Sequence, residues 1–136
     1  MRCEVELPRD SAAARIARGA LSTSFGAALR PDELDDAKLV VSELVSNALE
    51  HGVGQIHLVA DLDEDRLRIE VVDEGTGFAH TAREVPFDQT RGRGLLIVDT
   101  IAARWGIYEG TTHVWAEIER SGPRVGTEPE PARPDE

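Results

Sequence analysis

Cysteine and lysine are nearly absent from this 136-residue chain. Cys3 stands alone, so no intrachain disulfide can form and no cysteine-rich zinc site exists. That usage fits a reducing cytoplasm. Lys38 is the single lysine, and the net charge is −11. A surface of that sign is repelled by phosphate backbones, which excludes DNA and RNA as expected partners. An acidic surface suits a basic protein partner, though it serves solubility more often. Long apolar runs are also missing. None approaches the roughly 20 residues that a membrane helix requires. The first ten residues carry Arg2, Glu4, Glu6, Arg9 and Asp10 and have no apolar stretch, unlike a signal peptide. His51, His57, His80 and His113 are scattered without metal-ligand spacing. No Gly-Lys-Ser/Thr occurs, so there is no P-loop.

What is present suits one soluble domain. Hydrophobic residues make up 40% and charged residues 30%, the balance of a globular protein. A chain this long buries roughly two-thirds of its unfolded surface without needing disulfides. Cys3, Val5 and Leu7 alternate with Glu4 and Glu6, which predicts a first strand. Asp10 or Ser11 can cap a helix reaching to about Leu29. A second helix is expected from about Pro31 to Glu50, with Gly52 just past its end. Gln55 to Ala60 and Arg66 to Val72 read as a hairpin around an acidic turn. Asp73 to Arg93 reads as a long loop, the length at which functional lids occur. A third helix from about Gly94 to Arg104 and two strands, Trp105 to Tyr108 and His113 to Ile118, complete the pattern. Trp105 and Trp115 are expected in the core or on a sheet face. From Ser121 the chain is rich in proline and charge and is expected to be disordered. The order β, α, α, β, β, lid, α, β, β implies an α/β, two-layer sandwich over residues 1–120. Its sheet is mixed but mostly antiparallel, with helices on one face.

Three segments carry the chemistry. In the second helix, Glu43, Asn47 and His51 fall on one slowly drifting stripe at about 100° per residue. Val40, Leu44 and Ala48 lie beside it, while Ser42, Ser46 and Glu50 take the outer face. A carboxylate and a carboxamide thus point toward the apolar side, where burial without partners is costly. A polar ligand or a metal ion would resolve that cost; taken alone, a partly solvated helix edge explains the stripe as well. The second segment is Asp73-Glu74-Gly75-Thr76-Gly77, directly after a strand. An acid there can accept a hydrogen bond from an exocyclic amine, and the glycines let backbone approach a flat ring. Alone it is an ordinary glycine turn, and it is not a dinucleotide fingerprint, since no helix follows Gly77 directly. In the third segment, Arg91-Gly92-Arg93-Gly94-Leu95, glycines open a helix. Free N–H groups at a helix start make an anion site, and Arg91 and Arg93 add cationic donors. Alone it is a plain lead into a packed helix.

Together the order ExxxNxxxH, DxGxG, lid and GxGL resembles the N, G1 and G2 boxes of the GHKL ATP-binding fold. The resemblance covers about residues 5 to 119. The phrases VVSELVSNALEHG, RGRGLLIVDTIAARWG and VWAEI are similar to bacterial anti-sigma serine/threonine kinases, especially small actinobacterial ones. The resemblance implies ATP and Mg²⁺ as cofactors, with Asn47 as the metal ligand. It implies that Asp73 binds the adenine amine and that Gly75 and Gly77 line the ring. Arg93, Gly94 and Leu95 would hold phosphates through their N–H groups, next to Arg91 and Gly92, with His51 near the pocket. Glu43 matches the family's general base. Related chains carry a threonine before the last strand's valine. Here His113 holds that place, and Thr112 is the candidate beside adenine. The lid is short, and Arg83 in it is a solvated charge by default. The implied partners are a sigma factor, an anti-anti-sigma antagonist, or both, and a homodimer is compatible. A competing reading is a non-catalytic binding module with ATP as a structural ligand or unused. A histidine kinase catalytic domain is the weaker third, because no helical dimerisation segment with a phosphoacceptor histidine is present.

Overall fold

The computed structural model describes residues 1–74, 93–107 and 113–120. The first strand, β1 (Arg2–Leu7), leads into helix α1 (Ala13–Phe25) and then helix α2 (Pro31–His51). A hairpin follows, β2 (Ile56–Leu62) and β3 (Arg66–Val72), and beyond it come α3 (Arg93–Ile101), β4 (Arg104–Ile107) and β5 (Val114–Glu119). The five strands form one sheet in the order β1-β2-β3-β5-β4, and every described ladder is antiparallel. The helix-on-sheet layering is the one that the pattern implies, but the sheet is antiparallel in all its described pairs and not mixed, because every described neighbour pair runs in opposite directions.

The helices lie on one face because that is where the apolar positions point. In α1 the buried set is Ala13, Ala17, Leu21 and Phe25, at four-residue spacing. In α2 it includes Ala37, Val40, Val41, Leu44, Val45 and Ala48. These meet Ile56, Leu58 and Ala60 of β2, Leu67, Ile69 and Val71 of β3, and Val114, Ala116 and Ile118 of β5. Val98 joins them from α3. Burying a side chain such as Leu44 or Phe25 stabilises the fold by roughly 1.5–3 kcal/mol before entropy is counted.

Helix ends differ from the sequence expectation by a few residues. Asp10 does not cap α1 directly. Its Oδ1 accepts the Ala12 N–H at 2.8 Å and its carbonyl accepts the Ala13 N–H at 3.1 Å, forming a turn before the helix. The helix stops at Phe25 rather than Leu29, because the N–H groups of Ala28 and Leu29 both turn back to the Phe25 carbonyl. Helix α3 stops at Ile101 rather than Arg104. The Ala103 N–H already crosses to the Glu117 carbonyl, which starts the β4–β5 pairing. The β2–β3 turn is acidic as read. Asp63 Oδ1 accepts the N–H groups of Asp65 and Arg66 at 2.8 and 2.9 Å.

The opposite sheet face carries charge. On β5 both faces are covered, so the alternation seen in β2 disappears. Trp115 lies on this outer face, buried beneath the Arg68 guanidinium at 4.4 Å from the ring centre. Arg68 and Arg104 enclose the Glu117 carboxylate at 2.8 and 2.6 Å. Among the described residues, no helix is long and apolar enough to cross a membrane.

Candidate functional site

Helix α2 sets the site. It begins with Pro31 at its first turn, where the missing N–H does no harm, and its Glu33 accepts the Arg30 N–H at 2.9 Å. Along its stripe the exposure is graded. Glu43 is half-buried, Asn47 is 7% exposed, and His51 is exposed at the helix end. The buried Nδ2 of Asn47 has no hydrogen-bond partner among the described residues. Such an amide disfavours the ligand-free fold by about 1–3 kcal/mol unless something else engages it. His51 Nε2 lies 3.3 Å from Glu50 Oε1. Of the expected outer face, Ser46 and Glu50 are exposed as read, but Ser42 is not free of the fold. Its hydroxyl donates to the Lys38 carbonyl and accepts from Arg18 of α1, because α1 packs along that side of α2.

The end of α2 and the end of β3 are tied together. The Gly52 N–H closes α2 on the Ala48 carbonyl at 2.9 Å. At the very next residue the Val53 carbonyl accepts the Glu74 N–H at 2.9 Å, and Glu74 Oε2 accepts the Gln55 N–H at 3.2 Å. Arg9 holds the same segment from the β1–α1 loop. Its Nε donates to the Gly54 carbonyl at 2.7 Å, and its Nη1 to the carbonyls of Ala48 and Leu49 at 3.2 and 3.3 Å. A cation is favourable there, where the helix C-terminus leaves carbonyls unsatisfied. Asp73 follows β3 directly and turns its carboxylate onto Gly52, with Oδ2 buried. The fold thus brings the first and second sequence segments into contact.

The third segment is described in part. Helix α3 begins at Arg93, so the backbone of Arg93, Gly94 and Leu95 forms its first turn, where N–H groups have no intrahelical acceptor. Helices α2 and α3 pack against each other. Gly75, Gly77, Arg83, Arg91, Gly92 and Thr112 lie outside the described residues. His113 points to the outer sheet face, with Nε2 3.3 Å from Glu70 Oε1.

Sequence reading missed four contributors: Arg9, Gly52, Gly54 and Glu74. Gly52 was legible only as a helix stop, and Arg9 only as a loop charge, because their partners lie far along the chain. Gly54 alone offered a local signal, being a glycine in a turn, and it does adopt a positive φ of 73°.

The sequence matches the family described as histidine kinase-like ATPase domain over residues 7–118. Among curated proteins it is similar to the serine-protein kinase RsbW of Staphylococcus epidermidis, 27% identical over 124 residues, covering 78% of each chain. The serine-protein kinase RsbW of Staphylococcus aureus (strain MSSA476) is likewise 27% identical over 124 residues, with 78% of each chain covered. The match spans most of the chain and takes in α2, the β2–β3 hairpin, α3 and β5: this chain belongs to the histidine kinase-like ATPase domain family.

Proposed function

We propose that this chain binds ATP with Mg²⁺ and transfers the γ-phosphoryl group to a serine or threonine of a small regulatory protein, as an anti-sigma kinase that also holds a sigma factor. The observation that carries the reading is the buried Nδ2 of Asn47, unpartnered among the described residues, in a helix whose end packs on the Asp73 carboxylate. The similarity to kinases named serine-protein kinase RsbW supports the substrate class.

The residues fit the implied metal. A carboxamide turned about its last torsion presents Oδ1 where Nδ2 stands, and Mg²⁺ takes one or two protein oxygens plus phosphates and water. Among the described residues no cluster of His, Cys, Asp and Glu could form an all-protein metal cage, so a phosphate-assisted site is the chemistry on offer. When bound, Mg²⁺ would neutralise charge on the phosphate oxygens.

The chain's own residues then divide the work. Asp73 accepts a hydrogen bond from the adenine amine. The first-turn N–H groups of α3 hold phosphate oxygens. Glu43, one turn before Asn47, accepts the proton of the incoming hydroxyl as that oxygen bonds to the γ-phosphorus and the bond to the β,γ-bridging oxygen breaks, leaving ADP. Glu43 contributes to transfer and not to ground-state affinity, so its loss separates the two.

The test is incubation with labelled ATP and candidate antagonist proteins from the same genome. Glu43→Ala and Glu43→Gln should each lower transfer by about 10²–10⁴-fold, with ATP affinity near wild type. Equal transfer by wild type and Glu43→Ala excludes Glu43 as the base. ATP binding without transfer to any antagonist favours a non-catalytic binding module.

A further inference from the structure

We infer that Gly52 is a positioning residue for the carboxylate of Asp73 and thereby sets recognition of the adenine ring; the inference rests on the nucleotide reading above. Gly52 has φ −96° and ψ −178°. That is extended backbone which any residue adopts, so conformational freedom is not the reason for glycine here. Space is the reason. A Cβ at residue 52 would collide with Oδ2 and Cγ of Asp73 and would sit 2.8 Å from the Ala48 carbonyl oxygen. The carboxylate occupies the volume that any other side chain would claim.

Both backbones are tied by hydrogen bonds to other elements. Arg9 pins the segment on one side through the carbonyls of Ala48, Leu49 and Gly54. Glu74 pins it on the other, through its N–H to Val53 and its carboxylate to the Gln55 N–H. Glu74 also packs over Gly54, where a Cβ would meet Oε1 at 2.5 Å and Cδ at 2.7 Å. The element left to move is the Asp73 side chain, which has only two torsions. A side chain at residue 52 therefore turns the carboxylate out of its place, with a local shift of the Ala48 carbonyl at the end of α2, while leaving α3 and the phosphate-holding groups where they are. Gly52 touches no nucleotide atom in this account and acts through Asp73.

The experiment measures binding of Mg²⁺·ATP and of Mg²⁺·tripolyphosphate to the full chain, as wild type, Gly52→Ala, Asp73→Ala and the double variant, with the thermal midpoint of each. Gly52→Ala should weaken ATP by about tenfold or more, the size of a lost charge-assisted hydrogen bond, and leave tripolyphosphate binding near wild type. A merely structural defect would weaken both ligands together. The double variant should bind ATP no more weakly than Asp73→Ala alone, because the collision with the carboxylate is gone. If Gly52→Ala folds poorly, its thermal midpoint should recover in part when Asp73→Ala is added, the close approach to the Ala48 carbonyl remaining. Additive losses in the double variant, or wild-type ATP affinity in Gly52→Ala, would overturn the inference while leaving the nucleotide reading intact. Failure of the wild type to bind ATP would overturn both.

Discussion

Asn47 carries a burden in the ligand-free protein that its neighbours do not. Its amide nitrogen is buried without a partner among the described residues, beside residues as apolar as Leu44 and Ala48. Evolution keeps such a group where a ligand repays it, and it is otherwise a liability. Replacing it with leucine, which has the same branched outline, should stabilise the ligand-free chain by about 1 kcal/mol and abolish Mg²⁺-dependent ATP binding. Thermal denaturation with and without Mg²⁺·ATP checks both halves: the variant should melt higher alone and show no ligand-induced rise. A lower midpoint without ligand would mean that the amide has a structural partner. The four-residue spacing of Glu43, Asn47 and His51 made this stripe legible, because helical periodicity is a local property. The contact between Gly52 and Asp73 was not legible. It depends on how the end of α2 meets the end of β3, which no local pattern encodes.

Charge on the elements is handled by two arginine-centred clusters. At the start of α2, Arg120 donates to the Glu33 carboxylate at 3.3 Å and to the carbonyls of Ala28 and Asp63 at 3.0 Å. Its N–H also donates to the Asp65 carbonyl at 2.9 Å. One residue after β5 thus ties together the α1–α2 connection, the head of α2 and the hairpin turn. Arg120→Ala leaves Glu33 buried with a lost partner and should destabilise the fold by about 3 kcal/mol, read by urea denaturation; a loss under about 0.5 kcal/mol, the size of an ordinary surface change, would contradict the clamp. The same clusters set the acid response. Burial pushes the Glu33 carboxyl up, but the Arg30 N–H and Arg120 outweigh it and hold it below the ordinary carboxylate range. Burial likewise pushes Glu117 up, and Arg104 and Arg68 outweigh it. Both folded values lie below the unfolded one, so the stability they contribute is complete above the unfolded value of about 4.3 and is lost as pH falls through the folded values. The thermal midpoint should therefore fall on acidification below about pH 4.5, and Glu33→Gln and Glu117→Gln should each flatten that fall. An unchanged slope in both variants would show that other carboxylates dominate. Element types were legible across the described residues, since apolar alternation and four-residue stripes are strong here. Element ends were not, because the ends of α1 and α3 are set by turns and a cross-sheet bond rather than by stop residues.

At the scale of the whole molecule, the sheet order places β5 between β3 and β4, so the last strand of the described fold lies inside the sheet. Sequence order alone could not give that arrangement, because it comes from the β4–β5 hairpin docking its second strand, not its first, on β3. It does explain why the C-terminal boundary matters. Truncation after Arg120 should leave folding and ATP binding unchanged, as the proline-rich composition beyond it leads one to expect, whereas removing β5 would split the sheet. Circular dichroism and nucleotide binding on the truncated chain check this, and loss of either would move the domain boundary beyond Arg120. The contact between the first and second segments is likewise a property of the assembled fold. The central claim is that α2, the end of β3 and the start of α3 form one adenine-nucleotide site. Calorimetric titration of ATP with Mg²⁺ into the wild-type chain, Asp73→Asn and Asn47→Ala tests it most directly. The account predicts saturable binding by the wild type that is weakened by Asp73→Asn with or without metal and loses its Mg²⁺ dependence in Asn47→Ala; no binding by the folded wild type at millimolar ATP and Mg²⁺ would contradict it.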